Sequence, residues 1–307
     1  MSQIEINIIK QGMHSEKILS VSFFTMNDPY RDFTKYEKYL ERFLSHATRF
    51  PEFQIRIYTD DTGKDFALKV SQANNQVSVY HFNCPEFRDP QGVGHIGVFG
   101  SIPRFLPLFE AHDIVWISDI DVRDNFLDEK YIKPKFDFSI STYPYYFRKA
   151  FNQKYTIIAH RIISRIQLPR ALFTRFLTKL YNDDLNDKIK LLNLENGRKP
   201  KSSVPYCTDE LFLNTSVYTY LKNHPFKIQI ELDKILIGLI PNAMKNLTRN
   251  EELSFYRYSF DKSEINAQNL RRVYGKILQQ YGEFYPVLKT INLKHLEESF
   301  SIKSSEL

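Results

Sequence analysis

The chain has 307 residues, 42% of them hydrophobic, which suits one large domain or two small ones with an ample core. Its net charge of +6 is local: Arg148, Lys149, Lys154, Arg161, Arg165, Arg170, Arg175 and Lys179 fall between Tyr145 and Tyr181 with no acid among them, leaving the remainder at −2. Cys84 and Cys207 are the only cysteines, which argues against a disulfide framework and a structural zinc site.

The opening Met-Ser-Gln-Ile-Glu-Ile-Asn lacks the basic-then-apolar pattern of a secretory signal. No run of about 18 apolar residues occurs. These features predict a cytoplasmic protein, at most peripheral on the cytosolic face of a membrane. Residues 18–24 read as a strand, followed by a turn from Thr25 to Tyr30. Phe33, Tyr36, Leu40, Phe43, Leu44 and Ala47 recur at helical spacing. Residues 53–58 and 77–82 read as strands, the first closed by Thr59-Asp60-Asp61-Thr62-Gly63. Gly92, Gly94 and Gly97 have G-x-G-x-x-G spacing, but no strand leads into them and no helix clearly begins there, so they read as a loop beside a ligand. A helix over 101–111 is expected next. The β-α-β-α-β rhythm predicts an α/β fold with a mostly parallel sheet flanked by helices.

Residues 114–117, Ile-Val-Trp-Ile, have the β-branched content of a buried strand, and the run ends in Ser118-Asp119-Ile120-Asp121. Two carboxylates two residues apart on an extended chain share a face and repel unless a cation lies between them. Hard divalent ions with oxygen ligands, Mn²⁺ or Mg²⁺, meet that need and commonly bridge to a diphosphate.

Further on, 136–142 reads as a strand ending in the aromatic cluster 143–147. The apolar positions of the basic stretch, from Ile157 to Leu180, predict one or two helices broken near Pro169, with Arg161 and Arg165 on one face. Residues 182–203 read as a polar loop or fraying helix end. At 208–214, Thr-Asp-Glu-Leu-Phe-Leu-Asn, acids open an apolar helical turn. Short strands are expected over 228–232 and 235–240, and a helix over 263–281. The division expected is a single domain over 1–307, with a basic helical insertion at 147–203 and a C-terminal helical segment at 260–307.

The segment from Ile102-Pro103-Arg104-Phe105 through Asp119-Ile120-Asp121 resembles the central signature of GT-A-fold glycosyltransferases, and 208–214 is similar to their acidic acceptor-side segment. The resemblance covers roughly 18–245, and the Asp-x-Asp block is its specific part. It implies a metal-dependent transfer of a sugar from a nucleotide-sugar donor, UDP-sugars favoured, to a hydroxyl of a glycan or glycoconjugate acceptor. It implies Asp119 and Asp121 as metal ligands. Thr25, Asn27, Asp28, Tyr30, Arg104 and Asp119 would bind the donor, and Asp209 and Glu210 would be the catalytic pair. Retention is favoured over inversion. The C-terminal His-x-x-Gly-x-x-Lys-Pro-Trp segment of some retaining members is absent; His224 and His295 are the candidate substitutes.

Residues 148–179 have three readings: a solvated face, a patch for an anionic membrane surface, or a lid over an anionic ligand. Nucleic acid is not an expected partner. Two rivals stand beside the transferase: a non-catalytic nucleotide- or partner-binding protein of the same fold, and a haloacid-dehalogenase-type phosphatase. In the latter family the nucleophilic Asp normally lies near the start of the fold.

Overall fold

The computed structural model describes residues 4–25, 33–121, 127, 129, 132–133, 136–142, 148–151, 157–197, 201–233 and 251–256. In chain order the strands are β1 (Glu5–Lys10), β2 (Lys17–Ser22), β3 (Gln54–Thr59), β4 (Val77–Asn83), β5 (Ile114–Ser118), β6 (Phe138–Thr142), β7 (Ile157–Ser164), β8 (Ile228–Asp233) and β9 (Glu251–Tyr256). The α-helices are α1 (Phe33–Ala47), α2 (Lys64–Ser71), α3 (Ala171–Tyr181), α4 (Asn186–Glu195), α5 (Thr208–Phe212) and α6 (Tyr218–Lys222).

These strands form one sheet in the order β1-β4-β3-β2-β5-β7-β6-β8-β9. Five pairings are parallel, namely β2 with β3 and β5, β3 with β4, and β8 with β6 and β9. Three are antiparallel: β1 with β4, and β7 with β5 and β6. The fold is thus the expected α/β class, Rossmann-like and consistent with the GT-A arrangement. From β2 the chain builds outward through β3 and β4, then returns to place β5 on the other side of β2. That reversal opens a crevice beyond the ends of β2 and β5, where open α/β sheets bind ligands.

Alternation along β5 sorts its side chains between two apolar layers. Val115 and Ile117 join the layer with Phe105, Phe109, Phe173, Phe176 and Phe212. Ile114 and Trp116 join the layer with Leu40, Phe43, Leu44, Phe50 and Phe53 of α1 and its following turn. Trp116 meets Phe50 and Phe53 edge-on, with ring centroids 5.6 and 6.3 Å away. Each such fully buried side chain contributes about 1.5–3 kcal/mol through removal from water. Ile120 continues the parity into the Trp116 layer. Asp119 and Asp121 therefore belong to the opposite face, over the crevice.

Several expectations are corrected. Residues 157–164 are a strand, with Ile157, Ile158, Ile162 and Ile163 buried, so Arg161 and Arg165 do not share a helical face. A strand buried on both faces reads as a continuous apolar run, which mimics helical periodicity. Among the described residues of 147–203 the helices are α3 and α4, after a short 3₁₀ turn at Lys149–Phe151. Within 182–203, read as a polar loop or fraying helix end, Asn186–Glu195 form α4. The helix expected over 101–111 is a 3₁₀ segment, Pro103–Phe109, because Pro107 lacks the N–H that an α-helix would use. The strand expected at 235–240 and the segment 260–307 lie outside the described residues.

The basic stretch does not form one surface. Arg161 is buried, Arg148 is half-buried with Nη2 donating to Cys207 Sγ at 3.4 Å, and Arg165 donates to the Ile132 carbonyl. Lys149, Arg170, Arg175 and Lys179 are exposed. Among the described residues, no helix is long and apolar enough to cross a membrane.

Candidate active site

The crevice is lined by Phe24, Tyr36, Val98, Ser101, Arg104, Asp119, Asp121, Ala159, Tyr206, Cys207, Asp209 and Glu210. Five of the residues singled out from the sequence, Arg104, Asp119, Asp121, Asp209 and Glu210, therefore converge on one cleft. Thr25 ends the strand-to-loop passage beside it, its N–H donating to Thr62 Oγ1 at 2.8 Å, but the cleft-lining side chain there is Phe24. Asn27, Asp28 and Tyr30 lie outside the described residues, as does His295. His224 is taken up locally: its Nδ1–H donates to the Tyr220 carbonyl at 2.7 Å, and its ring stacks on Phe226. It does not line the cleft.

Arg104 organises the cleft. Its 3₁₀ segment is fixed from below by Ser20, whose hydroxyl donates to the Arg104 carbonyl at 2.7 Å. Arg104 is 5% exposed, and its guanidinium faces two acids from distant parts of the chain. Nη1 donates to Asp119 Oδ1 and to the Ser118 carbonyl; Nη2 donates to Asp209 Oδ2 at 2.9 Å and to the Ala159 carbonyl at 3.3 Å. Burial alone would lower the Arg104 pKa, but Asp119 and Asp209 together hold it above its usual value. The cation is permanent.

Asp209 and Glu210 enter from the other wall. The chain turns at Cys207, whose φ of +74° is left-handed, and Thr208 closes the turn by donating its hydroxyl to the Pro205 carbonyl at 2.6 Å. Both acids then fall in the first turn of α5, where exposed N–H groups favour negative charge. The helix continues through a π-helical turn, Leu213–Val217, into α6. Asn214 locks that turn to the sheet: Nδ2 donates to the Ile157 and Glu210 carbonyls at 2.8 Å each, and Oδ1 accepts from Ile157 N–H at 3.0 Å. Asp209 Oδ1 accepts the Glu210 N–H at 3.0 Å. Burial pushes the Asp209 carboxyl above its ordinary value, Arg104 opposes that and Asp119 adds to it. Next to this wall, burial with Arg161 and Arg104 nearby holds the His160 imidazole well below its usual value, hence neutral.

Behind the cleft, Asp60 and His95 make a buried pair at 2.9 Å through His95 Nδ1. His95 Nε2 accepts the Cys84 N–H at 3.0 Å, which puts the ring proton on Nδ1, toward Asp60. Thr62 Oγ1 donates to Asp60 as it accepts from Thr25. The glycine-rich loop is therefore tied to the end of β2, and Asp60 is structural. Gly97, at φ +52°, lies so close to Val204 that a Cβ there would meet its carbonyl oxygen at 2.0 Å. Tyr206, Cys207, Ser101 and Ala159 were not singled out from sequence as cleft residues; only their neighbours in the motifs carried a signal.

Asp119 is one-third exposed and Asp121 is exposed, both over the cleft. Among the described residues, no group of three His, Cys, Asp or Glu is placed to hold a metal ion. Two carboxylates suit Mg²⁺ or Mn²⁺ in the mode where substrate phosphates and water complete the coordination. They do not suit a closed structural metal site.

No protein-family model and no curated protein matches the chain. Among solved structures, it is similar to the crystal structure of 4-diphosphocytidyl-2C-methyl-D-erythritolsynthase from Anaerococcus prevotii DSM 20548, at 11% identity and a TM-score of 0.30. That likeness covers 67% of this chain and 100% of the other. So slight a likeness carries nothing about activity.

Proposed function

We propose that the protein is a metal-dependent glycosyltransferase that takes a nucleotide-sugar, a UDP-sugar first among them, and transfers its sugar to a hydroxyl of a glycan or glycoconjugate. The observation that carries this reading is the convergence of Asp119 and Asp121, at the end of β5, with Asp209 and Glu210 across the switch-point cleft. A divalent cation on Asp121 and Asp119 would supply charge neutralisation for the departing diphosphate.

The chain's own residues divide the remaining work. Both oxygens of Asp209 already accept hydrogen bonds, one from Arg104 and one from the Glu210 N–H, so Asp209 is a positioning residue that aims the guanidinium. Glu210, whose Oε1 accepts the Ala159 N–H at 3.4 Å, is the carboxylate assigned to the reacting centre, either to take the acceptor proton or to steady positive charge on the sugar, according to stereochemistry. Arg104 holds Asp119 in place and presents its charge to the donor. The exposed Arg170, Arg175 and Lys179 on or beside α3 make an anionic membrane surface a partner to test, by vesicle co-sedimentation at low and high salt.

The deciding experiment is a thermal-shift and turnover screen against UDP-, GDP- and CMP-sugars, each with and without Mn²⁺. Stabilisation and slow hydrolysis of one donor, lost in Asp121→Ala, support the reading. Silence across the panel overturns it and favours a binding protein of the same fold.

A further inference from the structure

The two carboxylates at the end of β5 each have a cation of the chain beside them. Asp119 Oδ1 accepts from Arg104 Nη1. Arg104 is anchored independently of that bond, since Nη2 donates to Asp209 Oδ2 at 2.9 Å and to the Ala159 carbonyl at 3.3 Å. Asp121 has Lys35, in the first turn of α1, within reach of its charge, and the next residue, Tyr36, lines the cleft with Asp121. Lys35 is exposed, with Nζ 5.6 Å from the centre of the Tyr39 ring, which meets Tyr36 edge-on at 5.5 Å. Tyr39 above all, then Tyr36 and Asp121, hold the ammonium above its ordinary pKa. One cation is thus fixed on the cleft floor, and the other rides a flexible stem at the rim.

Resting on the glycosyltransferase reading, we infer that Lys35 and Arg104 are counter-ions that exchange Asp121 and Asp119 for the donor's diphosphate, so that divalent metal and nucleoside diphosphate bind as a pair. Like charges two residues apart on one face need compensation, and these two side chains supply it in the unliganded protein. A divalent ion on its own competes with both for the same carboxylates. A diphosphate on its own meets the carboxylates together with the cations. When both are present, Asp119 and Asp121 keep a counter-charge while Lys35 and Arg104 take up the phosphates. Each ligand therefore strengthens the other, and linkage makes the factor the same in both directions. Arg104 keeps its place through Nη2 as Nη1 changes partner, and Lys35 swings on its stem. Lys35 is thereby assigned as a phosphate-binding residue carried by α1.

The test uses the whole protein and separates metal from nucleotide. Mn²⁺ binding without nucleotide is followed by electron paramagnetic resonance, and UDP and GDP binding by calorimetry with and without Mn²⁺. Mn²⁺ is expected to lower the dissociation constant of whichever nucleotide binds by at least about tenfold. Lys35→Gln, at an exposed position, should bind Mn²⁺ alone severalfold more tightly and the nucleotide in Mn²⁺ severalfold more weakly. Opposite signs in one variant are the signature, because a structural loss would weaken both. Lys38→Gln, exposed one turn along α1, controls for general surface charge and should shift each constant less. Arg104→Lys, whose single nitrogen cannot span Asp119 and Asp209 together, should also bind Mn²⁺ alone more tightly. Independent binding of Mn²⁺ and nucleotide, neither changing the other's constant, overturns the inference and leaves the glycosyltransferase reading intact. So does a Lys35→Gln variant whose two constants stay put or move in the same direction. Failure of both nucleotides to bind, with and without Mn²⁺, overturns both.

Discussion

Arg104 and Asp209 lie 105 positions apart in sequence, yet Arg104 Nη2 donates to Asp209 Oδ2 at 2.9 Å with both side chains buried. The bond joins the 3₁₀ segment before β5 to the helix on the far wall, and so ties the two sides of the cleft together. Removing the guanidinium strands a buried carboxylate that burial already pushes toward its protonated form. Arg104→Met is expected to destabilise the fold by about 3–5 kcal/mol, the usual cost of breaking a buried pair from one side. Arg104→Lys, which keeps the charge and loses the fork, should cost less. Denaturant unfolding checks both, and a loss below about 1 kcal/mol for the methionine variant would contradict the assigned role.

Asp121 is the contrasting case. It is exposed, so Asp121→Asn should leave unfolding free energy within about 0.5 kcal/mol of the parent. The same variant should lose the extra stabilisation that UDP with Mn²⁺ gives over UDP alone. If that increment survives, the ion lies elsewhere.

The acid limb of stability should carry a contribution from Asp61. Burial alone would raise its pKa, but hydrogen bonds from Arg88, Lys64 and His81 outweigh that and hold it well below its ordinary value of 3.8. A carboxylate with a depressed folded pKa adds stability that is fully present above the unfolded value and is lost as pH falls through the folded one. Stability should therefore decline below about pH 4. Asp61→Asn should be less stable at neutral pH and show a flatter decline. A parallel pair of pH profiles would rule this contribution out.

At Gly97 a side chain meets two obstacles, a left-handed φ of +52° and the Val204 carbonyl. Left-handed backbone costs roughly 1–2 kcal/mol for an L-residue, and the carbonyl must also move. Gly97→Ala should destabilise by at least about that much, and it should weaken donor binding because Val204 leads directly into the turn that presents Asp209. Gly197, also left-handed at +64° but with nothing among the described residues within 4 Å of its would-be Cβ, is the control: Gly197→Ala should cost the backbone term alone. Equal losses at the two positions would remove the packing argument.

Asp119 and Asp121 were legible in sequence as alternating carboxylates closing a β-branched run, whereas Arg104 was legible only through the family resemblance of the segment before that run. The α5 acids were legible as charge opening an apolar helical turn. β7 was not. Ile157, Ile158, Ile162 and Ile163 satisfy helical and strand spacing together, and only tertiary burial on both faces decides between them. Nor was the Asp60–His95 pair, since no local pattern links residues 35 positions apart in a turn and a loop. β1 was passed over although Ile4, Ile6 and Ile8 alternate with polar residues, a signal that was there to be read.

The Asp119 N–H donates to the His160 carbonyl at 3.2 Å, one step past the last paired residue of β5, whereas Asp121 lies two residues further along. The sheet thus reaches the backbone of Asp119. Its amide should exchange slowly even in the unliganded protein, and fast exchange there would show that β5 frays at the cleft. Fixing one residue's backbone costs about 1–2 kcal/mol in entropy at room temperature. For Asp119 that cost is met when the sheet forms, not when a ligand arrives.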